Sequence, residues 1–579
     1  MPDKLQRYKA LDYDISHTNI AWRMYEAGVE NFGKDGADLL EVPKPAANEV
    51  LLRVDAIGIC FSDIKLITQG TSHARITGRD LKNQPVIAGH EASLTVIETG
   101  SECKSIYNSG DRLIIQADVF YKGVSLAFGY ALAGAMQQFV IVGDEVLKGD
   151  EGNYLIPVAK SVGYVETALV EPWTCVVAAY RIYPRRTFAK GGTLLVVGLE
   201  EKNYIFDNAL ISDGIPAKVI LSNVSSKLKE SIIELCKCAE IVEIDKLIPA
   251  TVKALCQERT GEKGFNDVIV LGTPSAELAE AISVNLAKHA VMAISAQNPI
   301  ERAIQIDVGR VHYDYIDYVG TDSLTVSDAY TKSRNSEMKP NGSAWFIGAA
   351  GPMGQMHVQR CVLKKDGPKK ILCTDVDSSR LLYLKESLGN MPQENGIEII
   401  FLNPMEAGND AQAKAIQDLT SGNGFDDIMV LAPIAPLINA AVPHLAKGGL
   451  MNIFAGIIKG TMATIDLSCT YVKGSRFVGS SGSRPQDMVD TLKLTETGEL
   501  PTKNSCAAIG GIDAMADGVR AVKEAKFPGK TVIFPHITLP LTPLAELDKI
   551  LPSVHAKLAN GKFWTQEAED ELLNLKLEI

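Results

Sequence analysis

Between residues 20 and 160 the chain carries many short apolar runs with a β-rich composition. Val50-Leu-Leu-Arg-Val54, Ser93-Leu-Thr-Val-Ile97, Arg112-Leu-Ile-Ile115 and Gln138-Phe-Val-Ile-Val142 are punctuated by Gly, Asp and Asn, the pattern of a partly open β-barrel or sandwich. After Glu171 strand-like runs alternate with helical ones, which predicts parallel α/β units. From about Thr542 the pattern turns helical again. Thr565 is placed as an N-cap with acidic residues in the following turn.

The α/β region repeats itself. Gly264-Phe-Asn-Asp-Val-Ile-Val-Leu271 recurs as Gly424-Phe-Asp-Asp-Ile-Met-Val-Leu431, and Leu286-Ala-Lys288 recurs as Leu445-Ala-Lys447. Tyr318-Val-Gly-Thr321 is echoed by Phe477-Val-Gly-Ser480, and Gly192-Thr-Leu-Leu-Val-Val-Gly198 by Gly342-Ser-Ala-Trp-Phe-Ile-Gly348. Constant order and a near-constant offset indicate two tandem Rossmann-like copies, too few for a solenoid. The boundaries expected are 186–332 for the first and 333–499 for the second. A β-rich domain over 1–185, completed by about 500–545, precedes and follows them, and 546–579 forms a helical, exposed tail.

The two copies differ where a dinucleotide would sit. After Gly348 the second reads Ala-Ala-Gly-Pro-Met-Gly354, small residues that let backbone amides approach a pyrophosphate at a helix N-terminus. Pro352 suits the first turn of that helix, where a missing N–H is of little consequence. Asp375, about twenty residues on, is placed to bind both ribose hydroxyls and to repel a 2′-phosphate. The candidate cofactor residues are therefore Gly348, Ala350, Gly351, Pro352, Met353, Gly354, Asp375 and Arg380, with NAD(H) favoured over NADP(H). In the first copy Gly198 is followed by Leu-Glu-Glu-Lys-Asn-Tyr204, bulky and acidic, and Asn223 stands in the position of Asp375. That copy is expected to bind no dinucleotide.

Composition narrows the function. A net charge of -12 argues against nucleic-acid binding as the main task. No apolar run is long enough to span a bilayer, and the first residues hold no apolar signal region. The ten cysteines follow no regular framework, so a reducing, cytoplasmic setting is expected.

Candidate chemistry lies in the first third. Cys60, His90, Glu91 and Glu171 are possible metal ligands whose wide spacing excludes a compact zinc finger. One thiolate, one imidazole and carboxylates suit a catalytic zinc with an open position. Ser62, two residues after Cys60, could relay an alcohol proton, and Asp63 could fix the His90 imidazole. Lys65, His73, Arg75, Arg79 and Lys122, with Tyr130, form a basic cluster that either binds an anionic substrate group or is solvated loop charge.

The Gly89-His-Glu91 and Leu169-Val-Glu-Pro172 elements, together with Gly110-Asp-Arg112, resemble the zinc-dependent medium-chain dehydrogenase/reductases, and among these sorbose-1-phosphate reductases and sorbitol dehydrogenases. The resemblance covers roughly residues 20–185 and 335–545. It implies α/β plus β architecture: a GroES-like catalytic domain with two tandem Rossmann-like doubly wound domains, the first of them an insertion. It also implies one catalytic zinc at Cys60, His90 and Glu91, with Glu171 bound directly or through water. Ser62 then relays the proton, and Asp63 supports the histidine. No structural zinc is expected, because 111–150 contains no cysteine. The substrate implied is a polyol, ketose or sugar phosphate, and the protein a homo-oligomer. A zinc-free quinone reductase, a dehydrogenase of another secondary alcohol and a non-enzymatic binding protein on the same fold stand as alternatives. Because such dehydrogenases pair through their Rossmann domains, the first copy could serve the second as a built-in partner through the Val319-Gly320 and Val478-Gly479 strands.

Overall fold

A computed structural model describes residues 3–480 and 482–579. The chain divides into two compact units. The first comprises the chain up to Val177, Gly351–Met356 and Gly482–Ile579, and the remainder forms the second.

In the first unit an eight-stranded sheet is built around the fully buried strand Val50–Ile59. Glu91–Thr99 pairs with it antiparallel on one side, and Lys530–Phe534, close to the C-terminus in sequence, pairs with it on the other. Val50, Leu52 and Val54 point into the apolar core, and so do Ile57 and Ile59. The change of parity is made by an irregularity in the pairing between Val54 and Ala56. Such a bulge re-aims the residues after it, here Gly58 and the approach to Cys60.

The opposite face of this strand carries Arg53 and Asp55, both fully buried. They form an ion pair of 2.8 Å. Tyr8 and Thr95 donate to Asp55 at 3.0 and 2.6 Å, and Arg53 lies over the Tyr8 ring at 3.4 Å. Buried charges persist only when paired and hydrogen-bonded in this way.

The C-terminal segment is not the exposed tail expected from its sequence. Leu547, Leu551, Val554, Trp564, Leu572 and Leu573 are buried against Tyr164, Leu169 and Phe534. Thr565 does cap the last helix, Gln566–Lys576, accepting from Ala568 N at 3.0 Å. On that helix the fully buried Glu569 accepts from the backbone N–H groups of Tyr164 and Val165 at 2.6 and 2.8 Å. It thereby caps the helix Tyr164–Ala179, which carries Glu171.

In the second unit both copies contribute six strands to one twelve-stranded sheet. Within each copy the strands run parallel. Asp317–Thr321 of the first copy meets Arg476–Val478 of the second antiparallel, with Tyr318 opposite Phe477. In the second copy the strand Ser343–Ile347 leads into the helix Pro352–Leu363. In the first copy no α-helix follows Thr193–Gly198 among the described residues, only the short 3-10 turn Asn208–Ile211 before the next strand. The chain instead folds back, with Leu199 and Glu200 donating to the Leu271 carbonyl. A Cβ on Gly272 would lie 2.7 Å from the Glu200 side chain, so the crevice of this copy is filled by its own chain.

Replacing Glu569 by Ala removes two charge-assisted bonds at a helix N-terminus. A loss of ~2 kcal/mol is expected, read as a melting temperature several degrees lower, whereas an unchanged melting temperature would remove Glu569 from this role.

Candidate functional site

Cys60 ends the central strand and begins the helix Phe61–Gln69 as its N-cap. Asp63, one turn on, closes that start by accepting from Cys60 N at 2.9 Å through Oδ2. Its other oxygen accepts from Gly89 N at 3.2 Å and meets His90 Nδ1 at 2.9 Å. Gly89 has φ 93°, and a Cβ there would press on Met136, so only glycine supports this turn. His90 and Glu91 follow at the start of the neighbouring strand.

The ligand atoms of Cys60, His90 and Glu91 all lie within 4.8 Å of one another. Glu171 falls outside that compact group, although its carboxyl is close enough for its charge to be felt by His90 and Glu91. Gly58 stands opposite Glu91 in the sheet, and a Cβ there would lie 2.1 Å from Glu91 Oε2, so the glycine makes the space this carboxylate occupies.

Electrostatics bind the group together. Burial would raise the Asp63 carboxyl, but the adjacent imidazole, the Cys60 N–H and Lys530 hold it below the usual range. Burial likewise works against a charged His90, and Asp63 overrides it, raising the imidazole well above its ordinary value. Glu171 is pushed up to about 7, first by burial and then by Glu91 and Asp118, with His90 and Lys530 opposing. Lys530 is itself buried. Its Nζ donates to Glu91 Oε1 at 2.6 Å, and this carboxylate keeps it charged against the effect of burial.

The donor set fits a zinc ion. Asp63 occupies Nδ1 of His90 and leaves Nε2 as the ligand atom, the usual carboxylate–histidine arrangement. Glu91 Oε2 is buried with no hydrogen-bond partner, an oxygen with unspent capacity at the centre of the group. Thiolate, imidazole and carboxylate together suit zinc.

The expected substrate cluster separates into different roles. Tyr130 is buried between His73 and His90, with ring centroids at 5.4 and 5.8 Å, and burial lifts its hydroxyl to about 12. Arg75 lies over the Tyr130 ring at 4.8 Å and pairs with Asp118 at 2.6 Å. Arg79 is a correction to the anion-binding reading. Its guanidinium donates to the carbonyls of Gln84, Tyr130, Ala131 and Pro85, which makes it a clamp on the loop. Lys65 is exposed, and Lys122 sits at φ 53° in a turn held by Asp150. Ser62 is half-buried in the first turn of its helix.

In the second copy Gly348 has φ 82° and packs against the backbone of Ala432. Ala350 N donates to Asp375 Oδ2 at 2.9 Å, and Asp377 N donates to its other oxygen at 3.2 Å. Pro352, Met353 and Gly354 open the helix, and Arg380 lies on the following one, 3.5 Å from Asp377. In the first copy Asn223, at φ 49°, turns its amide onto the Gly198 carbonyl.

Sequence reasoning missed Lys530 and Asp118. Lys530 opens an apolar strand that was legible, and a lysine heading a strand destined for the core is the signal that was available. Asp118 gave no comparable signal, standing alone in an irregular stretch.

Residues 46–149 match the alcohol dehydrogenase GroES-like domain. Mannitol-1-phosphate 5-dehydrogenase of Aliivibrio fischeri is 30% identical over 246 residues, 41% of this chain and 57% of that protein. L-sorbose 1-phosphate reductase of Klebsiella pneumoniae is 30% identical over 238 residues, 41% of this chain and 56% of that protein. The chain thus spans little more than half the length of these curated relatives. The crystal structure of AibC, 15% identical, superposes with a TM-score of 0.50 over 90% of this chain and 96% of that one, a likeness of fold. The GroES-like domain and the Rossmann-type sheet define an alcohol dehydrogenase-like architecture. Over these segments the chain is similar to dehydrogenases that carry the alcohol dehydrogenase GroES-like domain.

Two substitutions test the site's supports. Asp63→Asn should weaken zinc binding ~10–100-fold in a competitive chelator titration, and an unchanged affinity would show that Asp63 does not hold the ligand. Lys530→Met leaves Glu91 buried without its cation. A loss of ~3–5 kcal/mol is expected in the metal-free protein, read by denaturant unfolding, with partial recovery when zinc is added.

Proposed function

We propose that the protein is a zinc- and NAD(H)-dependent oxidoreductase that interconverts a hydroxyl and a carbonyl on a polyol, ketose or sugar phosphate. The observation that carries this reading is the convergence of Cys60, His90 and Glu91 on one small volume, with Asp63 holding the imidazole. When bound, zinc supplies Lewis acidity toward the substrate oxygen and the nicotinamide exchanges the hydride.

The chain's own residues do the rest. Asp63 fixes His90 and keeps Nε2 free to bind, and Lys530 balances the Glu91 charge. Ser62, half-buried two residues after Cys60, passes the substrate proton outward. Glu171, whose charge is felt by His90 and Glu91, would be the further residue available to a bound zinc, directly or through water. The Arg75–Asp118 pair offers both donors and an acceptor to hydroxyl groups, and His73 and Lys65 remain as partners for an anionic substituent.

Asp375, oriented by two backbone amides, receives the ribose hydroxyls, which favours NAD(H) over NADP(H). Val376, Met405 and Ile434 are exposed apolar side chains that follow neighbouring strands of the second copy and offer a face to adenine. The first copy, its crevice filled by Leu199 and Glu200, takes no part in cofactor binding. The two relatives whose names specify phosphorylated substrates favour a sugar phosphate here.

The test is NAD(H)-linked turnover by the zinc-loaded protein on matched polyols and ketoses with and without a phosphate. Turnover with preference for the phosphorylated member is expected. Preference for the free sugar would assign His73 and Lys65 to solvated loop charge, and absence of turnover with every pair would reject the polyol assignment.

A further inference from the structure

The junction between the two Rossmann-like copies carries an asymmetry that the oxidoreductase reading does not need. Two antiparallel pairings form it. In the large sheet Tyr318 faces Phe477, and beside it Ile304–Asp307 pairs with Met462–Ile465, with Gln305 facing Thr464. The offset from 305 to 464 equals that from 318 to 477, and it also relates Leu286 to Leu445 in the repeat. Each pairing is therefore centred on residues that are equivalents in the two copies, and Ile304 and Ile306 are matched by Ile465 and Ala463 on either side. Such an arrangement is the internal counterpart of an isologous interface, in which one surface faces its own copy.

Small residues permit the approach. A Cβ on Gly320 would meet Tyr471 of the second copy at 2.7 Å, and one on Gly479 would meet His312 of the first at 2.9 Å. Tyr471 and His312 are again related by the same offset, so the contact is made twice.

The charges break this symmetry. Asp317 and Arg476 are equivalent positions, and both are buried. Arg476 Nε donates to Asp317 Oδ1 at 2.8 Å, and the second guanidinium nitrogen donates to Oδ2, a bidentate pair. Nearby, Asp314 pairs with Lys459 at 2.6 Å, and Asp307 accepts from Gly460 N at 2.8 Å. In each contact the first copy brings the acid and the second brings the donor. Two cations of the first copy lie in this region and both are engaged within that copy: Arg310 with Asp314 and the carbonyls of Val284 and Leu286, and Arg186, whose charge is felt by Asp317 and Arg476, with the Tyr330 carbonyl. Were either copy to pair with a second example of itself, Asp317 would stand beside Asp317, or Arg476 beside Arg476, without access to water. A buried charge facing its like is strongly unfavourable.

We propose that the two copies have diverged into complementary halves of one heterotypic interface, with Asp317–Arg476 as the pair that makes like-with-like association unfavourable. The first copy, which has lost its dinucleotide crevice, is the dedicated partner of the second. The edge of the working copy is thereby occupied within the chain and is closed to another chain.

The full-length protein is compared with D317R, R476D and the exchange D317R/R476D by thermal unfolding and by light-scattering mass over a concentration series. Each single reversal sets like charges together in the junction. It should lower the melting temperature by at least ~5 °C and make the mass rise with concentration as strand edges open. The exchange should recover at least half of that loss and return the wild-type mass profile, short of full recovery because Arg476 also donates to the Arg334 carbonyl at 2.8 Å. Single reversals as stable as wild type, or an exchange no more stable than the weaker single, overturn the proposal. Should a reversal give no folded protein, D317N, R476Q and their combination form a double-mutant cycle. A loss in the double variant clearly smaller than the sum of the two singles supports the pair, and simple additivity overturns it.

Discussion

Burial of carboxylates around Cys60 is the constraint on which the first unit turns. Asp63, Glu91 and Glu171 are all withdrawn from water within one small region of a β-rich core. For Asp63 and Glu91 the fold supplies counter-charges and donors, whereas burial pushes Glu171 up to about 7. His90 and two backbone amides answer Asp63, and Lys530 answers one oxygen of Glu91. The other oxygen is left unpaired beside a thiol and an imidazole. The unpaired oxygen is intelligible as the position of a cation, so the energetics of the fold and the chemistry of the site express the same charge balance.

Much of this architecture could be read from the residues, because the signals were local. Strands around Val50–Val54 and Arg112–Ile115 announced themselves through apolar runs, and the structure extends the first of them to Ile59. The tandem copies were legible through repeated segments, and the loss of the first crevice through its bulky, acidic turn. The proximity of Asp63 to His90 followed from the family resemblance. What escaped notice depended on long-range geometry. Lys530 reaches Glu91 from a strand more than four hundred positions away, and nothing near either residue marks the partnership. Arg79 stood open between anion binding and solvated loop charge, and the structure shows neither: its guanidinium donates to carbonyls of two segments, Gln84 and Pro85 in one and Tyr130 and Ala131 in the other. The C-terminal helix looked solvent-facing because the apolar surface it covers is assembled from separate segments around Tyr8, Leu169 and Phe534.

The two copies of the duplicated region differ at the crevice and match at the junction. One copy keeps small residues and an oriented carboxylate at its crevice. The other has filled the same place with its own backbone while retaining the edge strand and the glycine that allow close approach.

Glu569 and Lys530 give the order of events during synthesis a physical meaning. Cys60, His90 and Glu91 leave the ribosome early, yet the cation beside Glu91 and the carboxylate that caps the Glu171 helix lie near the end of the chain. Until that end emerges, a buried acid lacks its counter-ion and a helix lacks its cap. The strand that leads to Cys60 pairs with segments from before the two Rossmann-like copies and with one from after them, so its sheet is complete only when both flanking segments are present.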